Sequence, residues 1–191
     1  MKLVLGSSSP YRRELLSRLH LPFEAYSPDI DEARLPEESP TALVRRLAEQ
    51  KARAVASRFP NHLIIGSDQV AAVGDTIITK PNNAAHAVEQ LQFLSGKTVL
   101  FHTGLCLLNA QTSHLQLDNI VFEVGFRVLD DASIQRYLAK EPAYNCVGAF
   151  KSEAYGIALT THMRGDDPTA LIGLPLICLT EMLRAEGISI P

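Results

Sequence analysis

The chain opens with an apolar run, Leu3-Val4-Leu5, then Gly6, then Ser7-Ser8-Ser9-Pro10-Tyr11-Arg12-Arg13-Glu14-Leu15-Leu16. The run reads as a short buried strand. Ser9 is a good helix N-cap and Pro10 fits the first helical position. Leu15, Leu16 and Leu19 then form an apolar stripe at helical spacing. The chain therefore starts as strand, serine-rich turn and helix. The hydroxyls of Ser7 and Ser9 and the free N–H groups of the helix end meet where the helix dipole is positive. Arg12 and Arg13 stand in the same first turn, and Arg12 takes the position where a capping box has Glu or Gln. Cations are disfavoured there unless an anion offsets them. Two readings fit: a site for a phosphate-rich anion, or an ordinary helix start whose arginines pair with surface carboxylates. The glycine pattern of a P-loop is absent, which excludes a Walker-type NTPase.

The alternation continues down the chain. Leu21 to Tyr26 reads as a second strand, and Ser39-Pro40 repeats the cap signal to open a helix to about Arg58. His62 to Val70 contains three consecutive apolar residues, a strand covered on both faces. Gly74-Asp75 turns the chain, and Thr76 to Thr79 returns as a short partner strand. Asn83 to Leu94 is an amphipathic helix stopped by Ser95-Gly96. Two long β runs, Lys97 to Asn109 and His114 to Val128, are joined by a short loop. Asp130-Asp131 opens another helix. Glycines from Gly148 to Gly156 predict a compact turn. Ile157–Leu159 and Ala170–Ile172 read as strand pieces, and Leu176 to Arg184 as the last helix, closed by Gly187. The pattern is α/β with a mixed β-sheet.

At 191 residues this is a single domain, 1–191, with room for two lobes. A net charge of −3 gives no basic footprint, so no nucleic-acid partner is expected. The N-terminal apolar stretch is too short for a signal peptide and no run approaches a membrane span. Cys106, Cys146 and Cys178 show no CxxC and sit among apolar neighbours, which predicts reduced core thiols and a cytoplasmic location. The histidines form no zinc motif.

Four acidic or basic positions stand out. Ser27-Pro28-Asp29-Ile30-Asp31-Glu32 is a solvated loop or, alternatively, places one carboxylate on a hard cation. Lys51 falls on the apolar stripe of its helix, so it must snorkel out or meet an anion. Asp68 is placed where its strand would end, either as a ligand-site residue or as an Asx-turn cap. Lys80 closes the following hairpin and faces Asp68 if the register allows.

These pieces together resemble the Maf-like family of nucleotide pyrophosphatases. The resemblance is carried by Ser7 to Leu16, Asp31-Glu32, Lys51-Ala52, Gly66-Ser67-Asp68-Gln69-Val70, Lys80-Pro81, Leu94-Ser95-Gly96-Lys97, Thr103-Gly104, the Gly148–Gly156 turn and Ile172-Gly173-Leu174-Pro175. It implies an elongated mixed sheet flanked by helices, with two lobes around a deep cleft, as in Maf and ITPase-like folds. It implies cleavage of a nucleoside triphosphate between the α- and β-phosphates, with a divalent cation such as Mg²⁺ or Mn²⁺. It implies that Ser7, Ser9, Arg12, Arg13, Lys51 and Lys80 hold the triphosphate. It further implies that Asp68 is the catalytic proton acceptor and that Glu32 lies near the metal. Asp68 as base and Asp68 as metal ligand both remain open. The oligomeric state is not written in the sequence, although family members are often homodimers.

Within the family, Tyr11, Ser67-Asp68-Gln69 and Lys151-Ser152-Glu153 resemble the group acting on 7-methyl-GTP. The dTTP/UTP-cleaving group has Arg, Thr and Gln at the positions of Tyr11, Gln69 and Glu153. An aromatic at Tyr11 can stack on a base, and a methylated, cationic guanine favours a π face. Glu153 can accept from the guanine N–H edge. The alternatives are a dTTP/UTP pyrophosphatase of the same family and a nucleotide-binding regulator of cell division with little catalysis. The subgroup turn carries glycine where this chain has Ala154. If that position needs positive φ, alanine is strained there.

Overall fold

The computed structural model describes residues Met1–Pro191. In chain order its elements are β1 (Lys2–Gly6), α1 (Pro10–Ser17), β2 (Phe23–Tyr26), α2 (Pro40–Ala56), β3 (His62–Val73), β4 (Thr76–Ile78) and α3 (Ala84–Leu94). There follow β5 (Thr98–Asn109), β6 (Leu115–Phe126), α4 (Asp131–Lys140), β7 (Thr160–Arg164), α5 (Pro168–Ile172) and α6 (Leu176–Ala185). The seven strands form one sheet in the order β2-β1-β3-β5-β6-β7, with β4 added on β3. β1 runs parallel to β2 and β3, while β3/β4 and β6/β7 are antiparallel, so the sheet is mixed.

The chain forms two compact units. The first comprises Met1–Asp68, Thr103–Ile120 and Asp167–Pro191. Side chains alternate across its strands, as a period of two requires. Leu3, Leu5, Leu63, Ile65, Leu105 and Leu107 pack one face against Leu15 and Leu16 of α1 and Leu179 and Leu183 of α6. Val4, Ile64, Cys106 and Leu108 pack the other face against Ala48, Ala52 and Val55 of α2. The runs are apolar on both sides because both faces are covered.

The second unit comprises Gln69–His102 and Val121–Asp166. Ala87, Leu91 and Leu94 of α3 and Ile134, Tyr137 and Leu138 of α4 are its buried helical residues. Phe126 and Phe101 flank Phe150, with ring centroids 5.1 and 5.9 Å away. The glycine-rich turn folds as two short 3₁₀ segments, Val147–Ala149 and Tyr155–Leu159.

Three sequence expectations need correcting. Strand β3 does not stop at Asp68; it runs on to Val73, because Ala71–Val73 pair with β4. Ile157–Leu159 is 3₁₀ turn, and the strand is the following Thr160–Arg164, paired with β6. Ala170–Ile172 is helix, not strand. Its start is Asp167-Pro168, a cap followed by proline like those at Ser9-Pro10 and Ser39-Pro40, with Asp167 accepting the Thr169 N–H at 2.9 Å. Ala154 adopts φ −133°, so alanine is unstrained there; the left-handed residues of this turn are Gly148 and Ala149. Of the thiols, Cys106 is buried, whereas Cys146 and Cys178 are partly exposed. Burial pushes the Cys106 and Cys178 thiols up to about 12, which favours the protonated form of both at neutral pH.

Candidate active site

The end of β1 leads straight into α1. The Ser7 N–H bonds back to the Leu5 carbonyl at 3.0 Å, which bends the chain. The buried Ser7 Oγ accepts the Ser9 N–H at 3.1 Å, and Ser9 Oγ caps α1 by accepting the Arg12 N–H at 3.4 Å. Each hydroxyl still has its own proton to donate. No acidic side chain occupies the first turn of α1. Tyr11 and Arg12 are half-buried and Arg13 is exposed.

Arg12 folds toward the loop after α5. Its Nε donates to the Gly173 carbonyl at 2.7 Å, and the buried Ser67 Oγ donates to the same oxygen at 3.0 Å. Gly173 caps α5 in a left-handed conformation, φ 119°, which aims that carbonyl and favours glycine. Burial draws the Arg12 guanidinium below its ordinary range, with Asp68 and Glu32 pushing it back up. The sequence assigns no role to Ser67 or to the Gly173 carbonyl. Their role depends on a contact spanning more than a hundred residues, which no local signal carries.

Lys51 resolves the choice left by its place on the α2 stripe. It is buried at 7% exposure and meets anions: Nζ lies 2.6 Å from Asp68 Oδ1 and 2.9 Å from Glu32 Oε1. Glycines put it there. A Cβ on Gly66 would lie 2.1 Å from the Ala48 carbonyl, and one on Gly104 2.2 Å from that of Val44. Helix α2 thus rests directly on the backbone of β3 and β5, and Lys51 reaches Asp68 two residues beyond Gly66. The Asp68 side chain is 10% exposed while that of Glu32 is 59% exposed, so the pair is enclosed on one side and open to water on the other.

Ser7, Ser9, Arg12, Glu32, Lys51 and Asp68 all belong to the first unit, and Lys51 is the hub of its acidic part. Gln69, Lys80 and Glu153 belong to the second. There, Gln69 is half-buried on β3, Lys80 is exposed beyond β4, and the exposed Glu153 accepts from Ser152 Oγ at 3.3 Å. The donor set around Lys51 Nζ tests the fit of a divalent cation. Two carboxylates converge on one positive atom, and all ligand atoms are oxygen. That is the set a hard cation takes when substrate phosphates and water complete its shell.

Residues 2–186 match the family model described as Maf-like protein. A 7-methyl-GTP pyrophosphatase of Pseudomonas fluorescens (strain Pf0-1) is 58% identical over 191 residues, 100% of either chain. A 7-methyl-GTP pyrophosphatase of Nitrosococcus oceani is 55% identical over 185 residues, 97% of this chain and 93% of its own. Among solved structures, a HAM1 protein from Coxiella burnetii aligns with 66% of this chain and 73% of its own, at TM-score 0.45 and 17% identity.

Proposed function

This chain belongs to the Maf-like family, and on that premise we propose that it hydrolyses 7-methyl-GTP to the monophosphate and pyrophosphate, using a divalent cation. The observation that carries the chemistry is the Lys51 ammonium held between Asp68 and Glu32 at 2.6 and 2.9 Å, in the same unit as the serine turn and Arg12. The base is suggested by Tyr11, Gln69 and Glu153 together with the names of the relatives.

The residues divide the work by their chemistry. Ser7 and Ser9 donate hydroxyl protons to phosphate oxygens, and Arg12, Arg13, Lys51 and Lys80 supply positive charge. Arg12 is preoriented by the Gly173 carbonyl, so its remaining N–H groups are fixed before substrate arrives. Asp68 takes a proton from the attacking water as oxygen bonds to the α-phosphorus. The bond from the α-phosphorus to the bridging oxygen breaks, and pyrophosphate leaves with that electron pair. Asp68 and Glu32 would hold the cation, which when bound neutralises charge building on the leaving group. Tyr11 stacks on the methylated guanine and Glu153 accepts from its N–H edge. A homodimer and a cytoplasmic setting complete the reading; no helix is long and apolar enough to cross a membrane.

The test is pyrophosphate release from 7-methyl-GTP, GTP, dTTP and UTP with Mg²⁺, for the parent and Asp68→Asn. Release fastest from 7-methyl-GTP, lost in Asp68→Asn while nucleotide binding persists, is the expected result. Faster release from dTTP or UTP overturns the base assignment, and full turnover by Asp68→Asn overturns the role of Asp68.

A further inference from the structure

Glu32 is a ligand candidate on a segment without helix or strand, residues 27–38. Something other than regular structure must hold it beside Lys51. Arg46 and Glu38 make the contacts that lie next to it in this segment. Glu38 is 8% exposed, unusual for a carboxylate, and sits just before the cap of α2. Arg46 on α2 grips it with two N–H groups, Nε to Oε1 at 2.6 Å and Nη2 to Oε2 at 2.8 Å. The same Nη2 donates to the carbonyl of Ala33, the residue after Glu32, at 2.9 Å. Glu38 Oε2 also accepts the Leu35 N–H at 3.1 Å, and the Glu38 carbonyl accepts two N–H groups of Arg34 at 2.9 and 2.6 Å. One helix therefore carries both the cation that Glu32 meets and the cation that fixes the backbone beside Glu32. A bidentate guanidinium with a third contact defines position as well as adding energy.

We propose that Arg46 and Glu38 are positioning residues that set Glu32 beside Lys51 and Asp68, so that the cation-binding pair of carboxylates is assembled before substrate binds. This rests on the reading that Glu32 faces a divalent cation. The contact at the Ala33 carbonyl is the one that ties this ion pair to the residue next to Glu32.

The experiment uses the double substitution Glu38→Gln/Arg46→Met, which leaves no unpaired buried charge and so preserves folding. Backbone amides of residues 31–38 should exchange faster with solvent. The Mg²⁺ concentration for half-maximal turnover should rise about tenfold, the lower end for loss of groups that orient metal ligands, with kcat at saturating Mg²⁺ largely kept. Arg46→Lys, which keeps charge without the fork, should fall between. In a Glu32→Gln background the double substitution should add nothing to the Mg²⁺ requirement. Unchanged exchange at 31–38, or the same rise in Mg²⁺ requirement with and without Glu32, overturns the proposal. If Glu32→Gln alone leaves the Mg²⁺ requirement intact, the metal reading has failed. The positioning of Glu32 is then decided by the exchange at Ala33.

Discussion

Lys51→Met removes the ammonium from between two carboxylates that differ in their access to water. The Glu32 side chain is 59% exposed and rehydrates when its partner is gone. The Asp68 side chain is 10% exposed and rehydrates only in small part. Removing one partner of a buried pair costs about 3–5 kcal/mol, chiefly through the stranded charge. Asp68 keeps one route to water beside Glu32, so the lower figure, about 3 kcal/mol, applies. For a chain of this length each kcal/mol moves Tm by about 2–4 °C, which gives a fall of about 6–12 °C. Lys51→Met/Asp68→Asn removes both buried charges and should recover most of that loss, since replacing a buried pair as a whole is often neutral. Thermal unfolding followed by circular dichroism at neutral pH measures both variants without reference to activity. If the single variant melts with the parent, or the double variant melts below the single one, Lys51 and Asp68 are not a buried pair and the reasoning fails.

Three further outcomes can be checked directly. Gly66→Ala puts a Cβ 2.1 Å from the Ala48 carbonyl and 2.9 Å from the Ala52 nitrogen, so α2 must lift from β3. A loss at or above the about 1–3 kcal/mol typical of overpacking should appear in urea unfolding, together with lower kcat as Lys51 is displaced. Tyr11→Arg with Glu153→Gln should move the preference in pyrophosphate release from 7-methyl-GTP toward dTTP and UTP; an unchanged ranking counts against both residues as base readers. The Glu38 carboxyl is held below its usual range, first by its hydrogen bond to Arg46 and against the effect of burial. A depressed folded value means stability present above the unfolded value and lost as pH falls below it, from about 4 downward. Chemical unfolding measured from neutral pH into that acid window should therefore show a smaller loss for Glu38→Gln than for the parent.

Much of the fold was legible because its cues are local. Ser9-Pro10 and Ser39-Pro40 marked two helix starts that the structure keeps, and the helices expected from Asn83 and from Asp130-Asp131 do begin there, with Asn83 and Asp130 as their caps. The misses share one cause, a short apolar piece read without its partner. Ala170–Ile172 is helical because Asp167 caps it and Thr169 Oγ1 goes on to accept the Leu176 N–H at 2.8 Å. Strand β3 outlasts Asp68 because β4 pairs with its far end, and pairing is a property of two segments. The long strands β5 and β6 were read nearly to the residue, since twelve residues of periodic pattern leave little freedom.

The candidate site divides in the same way. Residue positions pointed to Lys51 and Asp68, the family resemblance singled out Glu32, and the apolar stripe of α2 already required Lys51 to find an anion or reach water. What the sequence suggested was cations awaiting a triphosphate. The structure corrects the balance: Lys51 is already held by Asp68 and Glu32, and Arg12 is tied to the Gly173 carbonyl. On the proposed function, a triphosphate can claim Lys51 only if something else takes over the two carboxylates. The divalent cation of that proposal would do so, and the expected outcome is that nucleotide binds more tightly with Mg²⁺ than without it. The glycines make this arrangement stiff. With no side chains between α2 and strands β3 and β5, Lys51 cannot move away from Asp68 by shifting its helix, and exchange of partners must occur through its own side chain.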